Sequence, residues 1–324
     1  LFSGFTAAID QMLFVQARIA MLDIFLALFL CWAIVFLLWA MRGRGRGQVL
    51  WRWIMASALL GLAVGVKWAA IPYVAMAGAA FVFVRARDAR RDGARGGAWV
   101  AATLAGRGAR HWTGLATVPG LVLMGVVSVA VYFTTFVPAF FIAVNPVAPQ
   151  ELIRFQFDMY RAQTAVLPHH TYQSDWWSWP LMLRPIWYFY EYADGAQRGI
   201  LLLGNPLIMW GGVAAVLYCL WAGVAKRAMA PLAMALLWIA SVGIYAIIPK
   251  SLGFYYYYLL SALFLSPVLA VAFWHADKGA RRGREEWFTA GALLLFVYFY
   301  PILSAAALSG PQAFTHWTWF LSWR

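Results

Sequence analysis

Twenty-one residues run from Met21 to Met41 with one charged side chain, Asp23, among them. A helix needs about 20 apolar residues to cross the hydrocarbon core of a bilayer. That run is therefore predicted to be a membrane span. The pattern recurs along the chain. Trp53–Val84 is too long for one crossing and is interrupted at Lys67-Trp68 and Pro72, so it predicts two helices with a turn near Lys67. Further spans are predicted at Trp112–Phe136, Ile200–Val224, Pro231–Ile248, Phe254–Trp274 and Trp287–Leu308. The expected fold is an all-α integral membrane protein with eight crossings, forming a single transmembrane domain over residues 1–324.

Composition agrees. The chain is 64% hydrophobic and 11% charged, which excludes an ordinary soluble enzyme and a disordered chain. A net charge of +13 would point to nucleic acid in a soluble protein. Here seventeen of the 25 basic residues fall in four loops, following residues 41, 84, 224 and 274. Counting 53–84 as two helices puts all four loops on one side, as the positive-inside rule requires. No nucleic-acid partner is expected. The arginines orient the chain and meet anionic lipid. Residues 1–20, 145–199 and 309–324 are then expected outside, together with seven of the twelve acids.

Cys31 and Cys219 each lie in an apolar run and read as packing residues, with no disulfide expected. The chain opens on Leu1 with no basic segment ahead of its apolar residues, unlike a signal peptide. It reads as a chain whose front is missing.

Two places concentrate chemistry. The first is the outer loop at 145–199. Within it Gln150–Val166 is predicted as a surface helix, with Glu151, Arg154, Asp158 and Arg161 in one charged stripe. After it, His169, His170, Tyr172, Ser174, Trp176, Trp177 and Trp179 crowd into eleven residues. Adjacent histidines with no further His or Cys close in sequence do not make a metal site. Flat aromatic faces beside mixed donors are the ingredients of a carbohydrate site, and equally of an aromatic belt at the interface. The second place is the front, where Asp10, Arg18 and Asp23 gather at the outer end of the first span. An ionisable residue at span depth is a functional candidate. Arg18 could equally pair with Asp23 or snorkel to a lipid phosphate. Lys67, at its hairpin turn, has the same two readings.

Three segments resemble one family. FVQARIAMLDIFLAL (14–28), GLAVGVKW (61–68) and HTYQSDWWSWPLMLRPIWY (170–188) are similar to the protein O-mannosyltransferase family, glycosyltransferase family 39, bacterial type. FYYYYLLSALFLSP (254–267) and FVYFYPILS (296–304) look like its later helices. Thr171 stands where the family has Pro, and Gln11 where bacterial members often have Gly.

The resemblance implies a GT-C-type multi-span helical glycosyltransferase in the cell membrane, with its active site on the outer face. Such enzymes move mannose from a polyprenyl-phosphate-mannose donor to Ser or Thr hydroxyls of exported proteins. It implies that the catalytic acid lies in a first outer loop, upstream of Leu1. Arg18 and Lys67 are then expected to bind the donor phosphate, because charge develops on that leaving group. Asp23 and Asp10 are the early carboxylates open to a general-base role or to orienting Arg18. His170, Tyr172, Ser174, Trp176 and Trp177 are expected to bind sugar or acceptor. No bound cofactor is expected, and a divalent metal is left open. Three rivals stay open: a lipid-linked sugar transferase acting on lipid A or a glycan, a transporter or flippase of lipid-linked sugar, and a non-catalytic subunit.

Overall fold

The computed structural model describes residues 1–106, 110–248, 250–278 and 283–324. Arg107, Arg281 and Arg282, counted above among the loop arginines, lie outside the described residues. In chain order the helices are α1 (Phe2–Ala8), α2 (Gln11–Arg18), α3 (Leu22–Met41), α4 (Arg46–Val66), α5 (Ile71–Arg91) and α6 (Gly96–Ala105). They continue with α7 (Thr117–Thr134), α8 (Leu152–Thr164), α9 (Pro206–Ala225), α10 (Met229–Gly243), α11 (Leu259–Ala276) and α12 (Arg284–Leu303). One antiparallel hairpin, β1 (Ile186–Ala193) and β2 (Ala196–Leu202), stands among them.

Among the described residues, eight helical stretches are long and apolar enough to cross a membrane, one for each span read from sequence. The 53–84 segment is two helices. Lys67 is extended (φ −161°, ψ 131°) between α4 and the short turn leading into α5. Pro72 stands in the first turn of α5, where its missing N–H costs nothing. The chain divides into two compact units, residues 25–158 and residues 1–24 with 159–324.

In the 25–158 unit, α4 packs against α7. A Cβ on Gly61 would stand 2.5 Å from the Ser128 carbonyl oxygen, so the glycine permits the close approach. Buried Trp53 donates to the Gly120 carbonyl at 2.9 Å, and Ser128 Oγ to the Ser57 carbonyl at 2.8 Å. These bonds satisfy polar groups that lipid could not. On the other side of α7, Val118, Val122, Val126 and Val129 are exposed, as suits a face against acyl chains. Arg85 was expected in a basic loop. It is instead in α5 and 1% exposed, donating to the carbonyls of His111 (2.7 Å), Trp112 (3.0 Å) and Leu115.

In the other unit, the first residues depart from expectation. Residues 1–20 were expected outside. The ring of Phe2 lies 5.6 Å from that of Phe273 and 6.2 Å from that of Phe288. Those rings are at the α11 and α12 ends nearest the basic 277–284 connection. Phe14 meets Phe296 at 5.2 Å and Tyr300 at 5.8 Å, toward the opposite end. The pair α1–α2 thus runs within the bundle along roughly 18 Å of α12, twelve residues at ~1.5 Å each. Asp10 makes the break between them, its Oδ1 accepting from Met12 N (3.0 Å) and Leu13 N (3.2 Å). The physical reason is that α1 is apolar enough to pack on α11 and α12, and short enough to escape a 20-residue ruler.

The hairpin is the second departure. Ile200 was expected to open a span, but residues 200–202 pair with 186–189 and the helix starts at Pro206. Asn205 caps it, with Oδ1 accepting from Leu207 N, while its Nδ2 donates to the Ala292 carbonyl at 2.8 Å. Residues 309–324 fold over the hairpin: Tyr190 donates to the Pro311 carbonyl (2.9 Å) and Trp187 to that of Trp323 (3.1 Å).

Candidate functional site

The 170–179 segment does not float at the surface. Ser174 N donates to the Gly253 carbonyl at 2.9 Å, and Gln173 bridges to Phe254. A Cβ on Gly253 would meet the Ser174 carbonyl oxygen at 2.5 Å, so this crossing requires glycine. Trp179 is buried. Its Nε1 donates to Ser174 Oγ at 3.0 Å, and its ring lies edge-on to Tyr245 at 4.9 Å. Together the two segments line a pocket of about 110 Å³ that includes Ser174, Asp175, Trp176, Trp179, Lys250 and Tyr257.

The front segment joins from a third place in sequence. Buried Gln16 donates from Nε2 to the Tyr256 carbonyl at 3.3 Å, across 240 residues of chain. Arg18, two residues on, is exposed, with its guanidinium 5.2 Å over the Phe14 ring. Asp23 is 4% exposed, in the first turn of α3, where the helix dipole favours a carboxylate. It lies within electrostatic reach of Tyr188, Tyr256, Tyr257 and Lys250. Lys250 Nζ donates to Tyr257 Oη at 2.6 Å. Burial lowers the pKa of Lys250, and the Asp23 carboxylate works against that shift. Tyr188 is pushed up, chiefly by burial and then by Tyr256 and Asp23.

The residues singled out in the sequence therefore separate. Ser174 and Trp176 line the pocket. His170 packs beside it, its ring 5.3 Å from Phe254, and its Nδ1 accepts the Tyr172 N–H at 3.1 Å. Tyr172 lies under Arg184, whose Nη2 donates to the Thr171 carbonyl at 2.8 Å. Trp177 is 56% exposed and does not line the pocket. Asp23 is within electrostatic reach of Lys250 and the tyrosines, while Arg18 sits on Phe14. Asp10 is a buried helix cap. Lys67 belongs to the 25–158 unit, beside Trp68, which donates to the Tyr132 hydroxyl at 2.8 Å; that hydroxyl in turn donates to Gln156. Among the described residues no group of three His, Cys, Asp or Glu is placed to hold a metal ion.

Sequence reasoning passed over Lys250, Gly253 and Tyr257. The available signal was a lysine followed by four consecutive tyrosines at a span's outer end. It also passed over the hairpin, although Asp194-Gly195 with aromatic flanks is a two-residue turn signal. Both residues take positive φ, 50° and 75°.

Two family profiles match. One, described as dolichyl-phosphate-mannose-protein mannosyltransferase, covers residues 1–141; the other, the C-terminal four-transmembrane region of protein-O-mannosyltransferase, covers 149–229. Between them they cover about two thirds of the chain. The polyprenol-phosphate-mannose–protein mannosyltransferase of Mycobacterium tuberculosis (strain CDC 1551 / Oshkosh) is 25% identical across 99% of this chain and 70% of its own length. The protein of the same name from Mycolicibacterium smegmatis is 26% identical across 99% of this chain and 71% of its own. That of Corynebacterium glutamicum is 27% identical across 69% of this chain and 51% of its own. No solved structure matches. With a multi-span helical fold, two profiles of one family along the chain, and relatives aligned over 99% of it, the chain belongs to the protein O-mannosyltransferase family.

Proposed function

We propose that this chain transfers mannose from polyprenyl-phosphate-mannose to Ser or Thr hydroxyls of exported proteins, at the outer face of the cell membrane. The observation that carries the reading is that 173–179 and 250–257 line one pocket, with Gln16 hydrogen-bonded to the adjoining Tyr256 and Asp23 within electrostatic reach of Lys250. The acceptor oxygen attacks C1 of mannose, the C1–O bond to phosphate breaks, and the hydroxyl proton passes to a carboxylate base. Charge grows on the departing phosphate, so a nearby cation lowers the barrier.

Arg18 is the residue for that task. Among the described residues its guanidinium makes no hydrogen bond, leaving a planar fork for phosphate oxygens. Asp10 is committed to capping α2. Asp23, within electrostatic reach of Lys250 and the tyrosines, organises charge in this reading. Trp176 and Ser174 offer a flat face and a hydroxyl to sugar or acceptor. The relatives' names favour a protein acceptor over lipid A or a glycan.

The test uses membranes carrying the full-length protein, with polyprenyl-phosphate-mannose and a peptide containing Ser or Thr, or Ala in their place. Mannose on the Ser/Thr peptide alone, with equimolar release of polyprenyl phosphate, is expected. Movement of the intact lipid-linked sugar across the membrane with no such release would make the chain a transporter.

A further inference from the structure

The pocket contains a cation that belongs to none of the family-like motifs above. Lys250 lies between α10 and the Tyr255–Tyr258 turn, and it is the basic residue among the described lining residues. Its head group is held in place. Nζ donates to Tyr257 Oη at 2.6 Å and stands 4.5 Å from the centre of the same ring. That ring is stacked on Tyr245 at 5.9 Å and meets Tyr256 edge-on at 4.5 Å. Tyr245 in turn donates to the Tyr257 carbonyl at 2.9 Å. An ammonium has three N–H donors, and Tyr257 takes one.

The setting is that of an anion site. Lys250 is exposed as a residue, so an anion can reach it, while its ammonium is held against the Tyr257 hydroxyl and ring. Buried Asp23, reaching it from the front segment, favours the charged form. The same pocket is lined by Trp176 and Ser174, an aromatic face and a hydroxyl, with Asp175 between them in sequence. A cation and a sugar-type surface lining one pocket match a sugar joined to phosphate. They match a bare peptide less well.

We propose that Lys250 binds the phosphate of the lipid-linked sugar donor, as a second cation beside Arg18. This rests on the transfer reading above, and it assigns the pocket to the donor rather than to the acceptor.

The experiment compares wild type, Lys250→Met and Lys250→Arg in the full chain. Binding of polyprenyl phosphate and of uncharged polyprenol is measured alongside the KM for donor and for peptide. Because a charge-assisted hydrogen bond is lost, Lys250→Met should weaken polyprenyl phosphate binding and raise the donor KM roughly tenfold or more. Peptide KM and polyprenol binding should stay unchanged, and Lys250→Arg should recover most of the loss. Unchanged polyprenol binding also shows that the methionine variant is folded.

Equal polyprenyl phosphate binding by wild type and Lys250→Met overturns the proposal. So does a change confined to peptide KM. Vesicles containing phosphatidic acid that compete as well as polyprenyl phosphate also overturn it, because the site would then read a phospholipid headgroup. Phosphate binding through Lys250 in a chain that mannosylates no peptide would retire the transfer reading alone. Normal transfer with an indifferent Lys250 would retire this inference alone.

Discussion

Asp10 and Arg18 are eight residues apart and have opposite surroundings. Asp10 is 4% exposed, and its Oδ1 holds two backbone N–H groups at the start of α2. Arg18, at the other end of that helix, is exposed. Removing the cap should cost about 1 kcal/mol. Asp10→Ala is therefore expected to lower the Tm in detergent, while Asp10→Asn, which still caps, keeps both fold and transfer. A stable Asp10→Asn protein with no transfer would return Asp10 to the chemistry. For Arg18 the expectation is the reverse. Arg18→Ala should leave Tm unchanged and slow transfer on the order of 30- to 1000-fold, the effect of losing 2–4 kcal/mol of transition-state stabilisation. Arg18→Lys should fall between, keeping charge and losing the fork. Near-normal transfer by Arg18→Ala at matched expression would leave it a lipid-facing arginine.

At the scale of elements, the pocket depends on one chain crossing, where Ser174 N meets the Gly253 carbonyl. A methyl group at Gly253 would stand 2.5 Å from the Ser174 carbonyl oxygen, and that atom is backbone. Gly253→Ala is expected to push the segments apart, expose 167–175 to protease and abolish transfer. Gly310→Ala, with nothing within 4 Å, is the matched control and should be silent. The tryptophans divide in the same way. Trp176→Ala should reduce transfer roughly 10- to 30-fold as a pocket anchor, whereas exposed Trp177→Ala should not. Equal losses for both would make the segment an interfacial belt. The 170–188 motif was legible because its aromatic and polar residues are neighbours in sequence. Lys250 was not, because its meaning comes from Asp23 and Ser174, which only the fold brings near.

At the scale of the molecule, the crossings were legible because each span carries its own apolar length and each basic loop its own charge. The α1–α2 pair was not, because its burial is a property of α11 and α12 rather than of its own residues. Its direction adds a prediction. Phe2 lies at the end of the bundle that carries the basic connections. Cysteines at Leu1 and Arg91 should therefore react with an impermeant reagent only after the membrane is opened, and one at Ser174 should react in intact cells. Labelling of Leu1→Cys from outside would restore the exterior placement of the first twenty residues.

The Gln16–Tyr256 hydrogen bond also says when the molecule becomes competent during its synthesis. Ribosomes add about 5–20 residues per second, so roughly 12–50 seconds separate the emergence of the two partners. Throughout that interval Arg18 and Asp23 exist without Lys250, and the 170–179 segment has no Gly253 to close against. On the proposed site, a nascent chain is expected not to turn over its lipid-linked substrate while it is still being threaded into the bilayer. A chain terminated before residue 250 would carry all three family motifs and is expected to show no transfer.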